Sequence, residues 1–192
     1  MTVTTVRTID LQPELVRLKH ELLDARERAR RVTEGLPATA WSRRPPSGGW
    51  SIGECLMHLN ITSERYVPLL DDALRSIRTR GLLADGTLRR DFLGYMLSSF
   101  LEPPARMRIV TPPPFRPSQV DPMPDVLERF DYLQQELLVR LERGAGLALD
   151  RQRIVSPFNS RVRYNLYAAF CVLTAHQRRH LWQAERVRIA IA

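Results

Sequence analysis

The chain has 192 residues, 44% hydrophobic and 26% charged, so we expect a single globular domain over residues 1–192 without a membrane span or a membrane partner. Its two cysteines and an N-terminus without an apolar signal core predict a cytoplasmic protein that lacks a disulfide framework. The net charge of +8 comes from arginines interspersed with acidic residues rather than from a like-signed stripe, so we expect no nucleic-acid partner.

The first predicted helix begins near Asp10 and Pro13. It ends before Gly35 and Pro37. Apolar residues in this stretch recur in steps of three and four, which is the spacing of one face of a helix. They are Leu11, Leu15, Leu18, Leu22, Ala25, Ala29 and Val32. The following residues 37–50 combine prolines and glycines without a period and predict a connecting loop.

The second predicted helix opens with a capping signal. Ser51 is a favourable N-cap and Glu54 stands three residues later, so each side chain can pair a backbone N–H that the helix leaves free. An apolar face with steps of three and four follows. It comprises Ile52, Leu56, Leu59, Ser63, Tyr66, Leu70, Ala73 and Ile77. His58 adjoins this face, and we expect its side chain to reach the space between helices.

Residues 81–124 differ in character from the helical segments. Residues 91–101 are mostly apolar and predict a short helix, whereas residues 102–124 contain more prolines than a helix or a central strand tolerates. A connection of this length inside a compact domain is either functional or crosses over the surface of the fold. The sequence leaves open whether it closes over a functional site.

The third predicted helix follows Pro124 and ends at Gly144 and Gly146, and the fourth runs from about Val162 to Arg188. The inward residues of the third helix are Val126, Phe130, Leu133, Leu137 and Leu141. Those of the fourth helix are Leu166, Ala169, Leu173, His176, His180 and Val187. Without a convincing strand, four long amphipathic helices predict an all-α four-helix bundle with a proline-rich crossover between the second and third helices.

Three of the four histidines are candidates for one metal site. His176 and His180 stand four residues apart in HQRRH, so they lie one above the other on a helix. His58, in SIGECLMHL, can supply a third imidazole from a facing helix. Three neutral nitrogen ligands leave a coordination position open, as a catalytic ion requires. We therefore predict a divalent metal ion at these three residues, and imidazole ligands suit zinc, nickel or iron.

Several neighbouring side chains have competing interpretations. Glu54 could orient the ring of His58 one turn away, but its part in the capping box is the favoured interpretation. Cys55 could be a fourth ligand, although a buried core cysteine is the commoner case. Trp50 is predicted to pack as a staple over the first turn of the second helix. Gln183 could line a pocket beside the histidines.

The chain resembles the DinB-like, or YfiT-like, superfamily of metal-dependent proteins. The resemblance rests on four helices in the corresponding order and on two segments, GGWSIGECLMHL and SPFNSRVRYNLYAAFCVLTAHQRRHLWQAERV. It implies a four-helix bundle whose metal is held by one histidine of the second helix and an HxxxH pair of the fourth, which match His58, His176 and His180. It also implies a homodimer and a thiol-dependent transferase, isomerase or hydrolase activity, although many relatives have no assigned activity.

We therefore hypothesise a metal-dependent enzyme that activates a thiol or water against a small-molecule substrate. Thiol transfer is favoured over hydrolysis, with a low-molecular-weight thiol as the candidate partner. The alternative is a non-catalytic stress-response or binding bundle in which the metal is structural or regulatory. The arginine excess leaves a bundle that associates with nucleic acid as a weaker alternative.

Overall fold

The structure is a computed structural model that describes residues 11–104, 107 and 110–191. The described residues are mostly helical, which confirms the predicted all-α fold class. The helices are α1 (Pro13–Thr33), α2 (Ala38–Trp41), α3 (Ile52–Thr79), α4 (Phe92–Leu101), α5 (Met123–Arg143) and α6 (Leu166–Ile191). Within the described part of the chain, none of them is both long and apolar enough to cross a bilayer.

The four long helices α1, α3, α5 and α6 surround the core. α1 and α3 each pack against both α5 and α6. Every inward residue that the sequence predicts for these helices is buried, with the exception of Leu11, which precedes α1 and is partly buried. Removing these apolar side chains from water stabilises the fold by about 25 cal/mol per Å² of buried surface.

Local signals set the helix ends close to their predicted positions. α1 begins at Pro13, and proline suits this position because the first N–H groups of a helix have no partner within the helix. Gly35 follows the end of α1 with φ of 63°. The predicted start signal Asp10 lies outside the described residues. At α3 the Ser51 hydroxyl accepts the Glu54 N–H at 3.1 Å and the Glu54 carboxylate accepts the Ser51 N–H at 2.8 Å. The predicted capping box is therefore confirmed.

A small β-hairpin precedes α6 and corrects two predictions. The chain contains strands, β1 (Arg153–Ser156) and β2 (Asn159–Asn165), which pair antiparallel with a register shift between Val155 and Ser156. The fourth long helix therefore does not begin near Val162, and α6 starts at Leu166.

The sequence of β2 explains this difference. Val162 and Tyr164 are at least partly buried while Arg161 and Arg163 are exposed, which is the two-residue alternation of a strand rather than the period of a helix. Asn165 then ends the strand, because its side-chain oxygen accepts the Ala168 N–H at 2.7 Å and so caps the first turn of α6.

The crossover between α3 and α5 contains α4, as the sequence predicts. α4 packs on α6 at very short range, since a Cβ placed on Gly94 would be 2.3 Å from the Ala168 Cβ. Asp91 caps α4 by accepting the Gly94 N–H at 2.9 Å, and its other carboxylate oxygen accepts the Asn165 N–H at 3.0 Å. One carboxylate thus joins the start of α4 to the start of α6.

The substitution Gly94→Ala tests the close approach of α4. We expect it to lower the free energy of unfolding by about 1–3 kcal/mol in urea denaturation, because the added methyl overpacks the contact with Ala168. Gly86→Ala is the matched control, since nothing lies within 4 Å of its Cβ position and its φ is not positive. Equal stability of the two variants would show that α4 does not lie this close to α6.

Candidate metal centre

Three imidazoles from two helices meet in the interior. His58 projects from α3, and His176 and His180 project from α6. The potential ligand atoms of these three residues all lie within 4.8 Å of one another, and the Nε2 atoms of His58 and His176 are 3.0 Å apart. The side chains are 1%, 6% and 9% exposed, so the cluster is almost completely withdrawn from water.

The start and the inward face of α3 and of α6 determine where the three imidazole rings lie. The capping box at Ser51 fixes the start of α3, and the apolar face of α3 then places His58 next to buried Leu59. The cap at Asn165 fixes the start of α6, whose inward face carries His176 and, one turn later, His180. The structure therefore brings together the three histidines that the sequence analysis selects.

The three imidazoles are held in their neutral form. Burial lowers the pKa of His58 to about 4, although its hydrogen bond to a backbone carbonyl acts in the opposite direction. Burial, and then the charges of neighbouring groups that include Arg179, lowers the pKa values of His176 and His180 well below the usual range. Neutral imidazole is the form that binds a metal ion.

Hydrogen bonds orient two of the rings. The Nδ1–H of His58 donates to the Phe115 carbonyl at 2.7 Å, and the Nδ1–H of His180 donates to the Gln183 side-chain oxygen at 3.1 Å. A carbonyl oxygen can only accept, so the protons lie on Nδ1 and both Nε2 atoms carry free lone pairs. Partners of this kind are the ones that fix metal-binding imidazoles in other proteins.

This donor set fits a divalent metal ion. Within the described residues, the Nδ1 of His176 has no hydrogen-bond partner, and its Nε2 faces the lone pair of His58 Nε2. A proton shared by two of the three potential ligand nitrogens would leave the third without a partner. A single cation can accept a lone pair from all three. The cluster also contains no carboxylate among the described residues, so all of its potential ligands are uncharged.

The structure decides between the alternatives for Glu54 and Cys55. Glu54 takes part in the capping box with Ser51 and in an ion pair with Arg44. Burial acts to raise the pKa of Glu54, but the hydrogen bonds with Arg44 and Ser51 outweigh it and lower the pKa. The ring of His58 is oriented by the Phe115 carbonyl instead. Cys55 lies fully buried in an apolar cluster, and burial raises the pKa of its thiol. It is a core residue and is not part of the histidine cluster.

Aromatic side chains that sequence reasoning missed as site residues form walls around the histidines. The Trp50 ring centroid is 4.8 Å from that of His58 and 5.6 Å from that of His180, so Trp50 does more than pack on the helix start. Phe158, at the hairpin tip, lies 5.6 Å from His176 and stacks on Phe115 at 4.2 Å. These three aromatics belong to three separate connections between the long helices, and no local pattern marks them as neighbours.

The crossover takes part in this site. The Phe115 carbonyl contacts His58, and the Met107 carbonyl accepts a hydrogen bond from Arg179 on α6 at 2.5 Å. The proline-rich stretch therefore contacts the histidine cluster at His58 and the neighbouring part of α6 at Arg179.

Comparison with known proteins identifies one family. The family model described as the DinB superfamily matches residues 21–184, which include all three histidines and most of the chain. Neither a curated protein nor a solved structure matches the chain significantly.

The buried neutral histidines predict a pH-dependent stability of the metal-free protein. We expect the free energy of unfolding to fall as the pH decreases from 7 to 5, because unfolded histidine, with a pKa of about 6.5, binds protons that the folded rings do not. Well below pH 6.5 the slope approaches about 1.4 kcal/mol per pH unit for each such histidine. Urea denaturation across this range measures it.

Two single variants provide the control for this pH dependence. His176→Gln should weaken the dependence, whereas His20→Gln, at an exposed position on α1, should leave it unchanged. The same pH profile in both variants would contradict the assignment of buried neutral rings.

Proposed function

This chain belongs to the DinB superfamily, and on that premise we propose that it is a metal-dependent enzyme acting on a small molecule. His58, His176 and His180 are the proposed ligands of one divalent ion. The observation that carries this proposal is the convergence of three buried, uncharged imidazoles within 4.8 Å. An all-imidazole donor set suits zinc, nickel or iron.

The residues of the chain have distinct tasks in this proposal. A divalent ion, when bound, lowers the pKa of a thiol or water that coordinates it. The Phe115 carbonyl and the Gln183 side chain hold the rings of His58 and His180 in the orientation that presents Nε2 to the ion. Trp50 and Phe158 exclude water from the histidines, which strengthens electrostatic interactions there.

The composition of the cluster supports a thiol rather than water as the activated group. Water needs a general base beside the ion more than a thiol does, because a thiol with a pKa of about 8.5 ionises readily on its own. The group of convergent side chains, within the described residues, contains no carboxylate that could act as that base. We therefore propose transfer of a low-molecular-weight thiol to a small electrophile, with hydrolysis as the second candidate.

Metal analysis tests the ligand assignment. After chelation and reloading with zinc, nickel or ferrous iron, we expect one tightly held ion per chain by mass spectrometry of the elements. His176→Ala should lose the ion, because two imidazoles remain, whereas exposed His20→Ala should retain it. Retention of the ion by His176→Ala at wild-type affinity would remove the proposed site.

Turnover assays separate an enzyme from a non-catalytic metal protein. We expect the reloaded wild-type protein to transfer one of a panel of low-molecular-weight thiols to a small electrophile, and His176→Ala to fall to the uncatalysed rate. Ester hydrolysis without thiol transfer would favour the second candidate. A stoichiometric ion without turnover of thiols or esters would favour a structural or regulatory metal.

We also propose that the chain forms a homodimer through α4. Its outer face carries Phe92, Leu93, Tyr95, Met96 and Phe100, which are between 36% and 79% exposed. These side chains present about 500 Å² of apolar surface. Two copies joined face to face would bury on the order of 1,000 Å², the lower limit of a specific interface. The largest apolar patch on a typical monomer covers about 300–600 Å² and often marks an interaction site.

Light scattering coupled to gel filtration tests this interface. We expect twice the chain mass for the wild-type protein and the single-chain mass for Met96→Glu, because the new carboxylate would be buried without a partner. Ile189→Glu is the control, since Ile189 is 77% exposed on α6, away from the α4 face, and the variant should stay dimeric. A monomeric wild-type protein would refute the dimer.

A further inference from the structure

A divalent ion at the histidine cluster would find no carboxylate ligand there among the described residues to balance its charge. Imidazole ligands carry no negative charge, so the three histidines would leave the charge of a bound divalent ion uncompensated. Glu54, the acidic residue closest to His58 in the sequence, is already paired with Arg44. The two charged side chains between His176 and His180 are both cations, Arg178 and Arg179.

Arg179 is a buried guanidinium without an acidic partner. It is 7% exposed, and among the described residues no carboxylate forms an ion pair with it. Its Nη2 donates to the Met107 carbonyl, which satisfies one of five N–H donors and does not neutralise the charge. The preceding residue shows the contrast, since Arg178 pairs with both Glu21 and Glu102. A buried charge of this kind is costly unless a counter-ion binds it.

Arg179 lies beside two residues of the histidine cluster on α6. Arg179 follows His176 by three residues and precedes His180 by one, so its Cβ lies on the same side of α6 about 5–6 Å from that of His176. The crossover contacts both Arg179 and the histidine cluster, because the Met107 carbonyl accepts a hydrogen bond from Arg179 and the Phe115 carbonyl accepts one from His58.

We infer that Arg179 binds the carboxylate of a small anionic substrate whose thiol coordinates the ion held by the three histidines. This inference rests on the proposed function and specifies its substrate class, a carboxylate-bearing low-molecular-weight thiol. A guanidinium presents two parallel N–H donors to a carboxylate, so it fixes the orientation of the substrate as well as adding affinity. The bond to Met107 then also tethers the crossover beside the bound substrate.

Binding of matched thiols to the cobalt(II)-loaded protein tests this inference. The probes are 3-mercaptopropionate and 3-mercapto-1-propanol, which differ in the carboxylate, and the readout is the near-ultraviolet absorption of thiolate bound to cobalt. We expect the wild-type protein to bind the carboxylate thiol at least about tenfold more tightly. Arg179→Gln should lose most of this preference while its affinity for the neutral thiol changes little. Acetate should compete more strongly than inorganic phosphate.

Two control variants make the outcome decisive. Arg186→Gln removes the same charge from α6 two turns further on, where Arg186 lies over the Trp182 ring, and should keep the preference. Arg179→Lys keeps the positive charge but loses the two parallel N–H donors of the guanidinium, so it should retain part of the preference. This variant replaces Arg179→Gln in the test if Arg179→Gln does not fold. No preference in the wild-type protein, or the same preference in Arg179→Gln and Arg186→Gln, overturns the inference.

The proposed function and this inference can fail separately. If the wild-type protein binds no cobalt, the metal site is refuted, and the guanidinium is then tested without metal by nuclear magnetic resonance. The Arg179 Nε–Hε signal, assigned by its absence in Arg179→Lys, should shift on addition of acetate. An unchanged signal at high acetate concentration would show that Arg179 only tethers Met107.

Discussion

Three imidazoles that must stay neutral inside an apolar helical core are the constraint on which the rest of this structure depends. Burial disfavours their charged form, yet each ring nitrogen still needs a partner. The backbone at Phe115 and the side chain of Gln183 supply acceptors for two Nδ1 atoms, which leaves Nε2 lone pairs facing one another. Such an arrangement is unfavourable without a cation and favourable with one, so the packing that stabilises the fold also forms a group of side chains that fits a metal ion.

The helices and the connections divide the site between them. α3 and α6 supply the candidate ligands, and their spacing is set by the packing of buried faces along several turns. The loop before α3, the crossover and the hairpin supply Trp50, Phe115 and Phe158, which cover the rings. Rigid elements thus hold the ligand geometry while the irregular segments determine what can reach it.

The parts of this site that follow a helical period were predictable, and the parts that depend on distant segments were not. The inward positions of the four long helices and the pair His176 and His180 follow from steps of three and four along the chain. The capping box also follows from local sequence, and it explains Glu54. The contact of Trp50 with His180 joins residues 130 positions apart, for which no local pattern exists. The sequence analysis assigned part of β2 to the fourth helix although Val162 and Tyr164 alternate with arginines. A short strand directly before a long helix is difficult to separate from it by periodicity alone.

The irregular hairpin places an aromatic wall on a short turn that carries none of the three imidazoles. The pairing of its strands has a register shift between Val155 and Ser156, and Phe158 lies in the turn that follows. Turns of this kind accept insertions and exchanges without disturbing the elements they join. The wall beside His176 could therefore be reshaped by rebuilding one turn, while the helices that carry the three histidines stay unchanged.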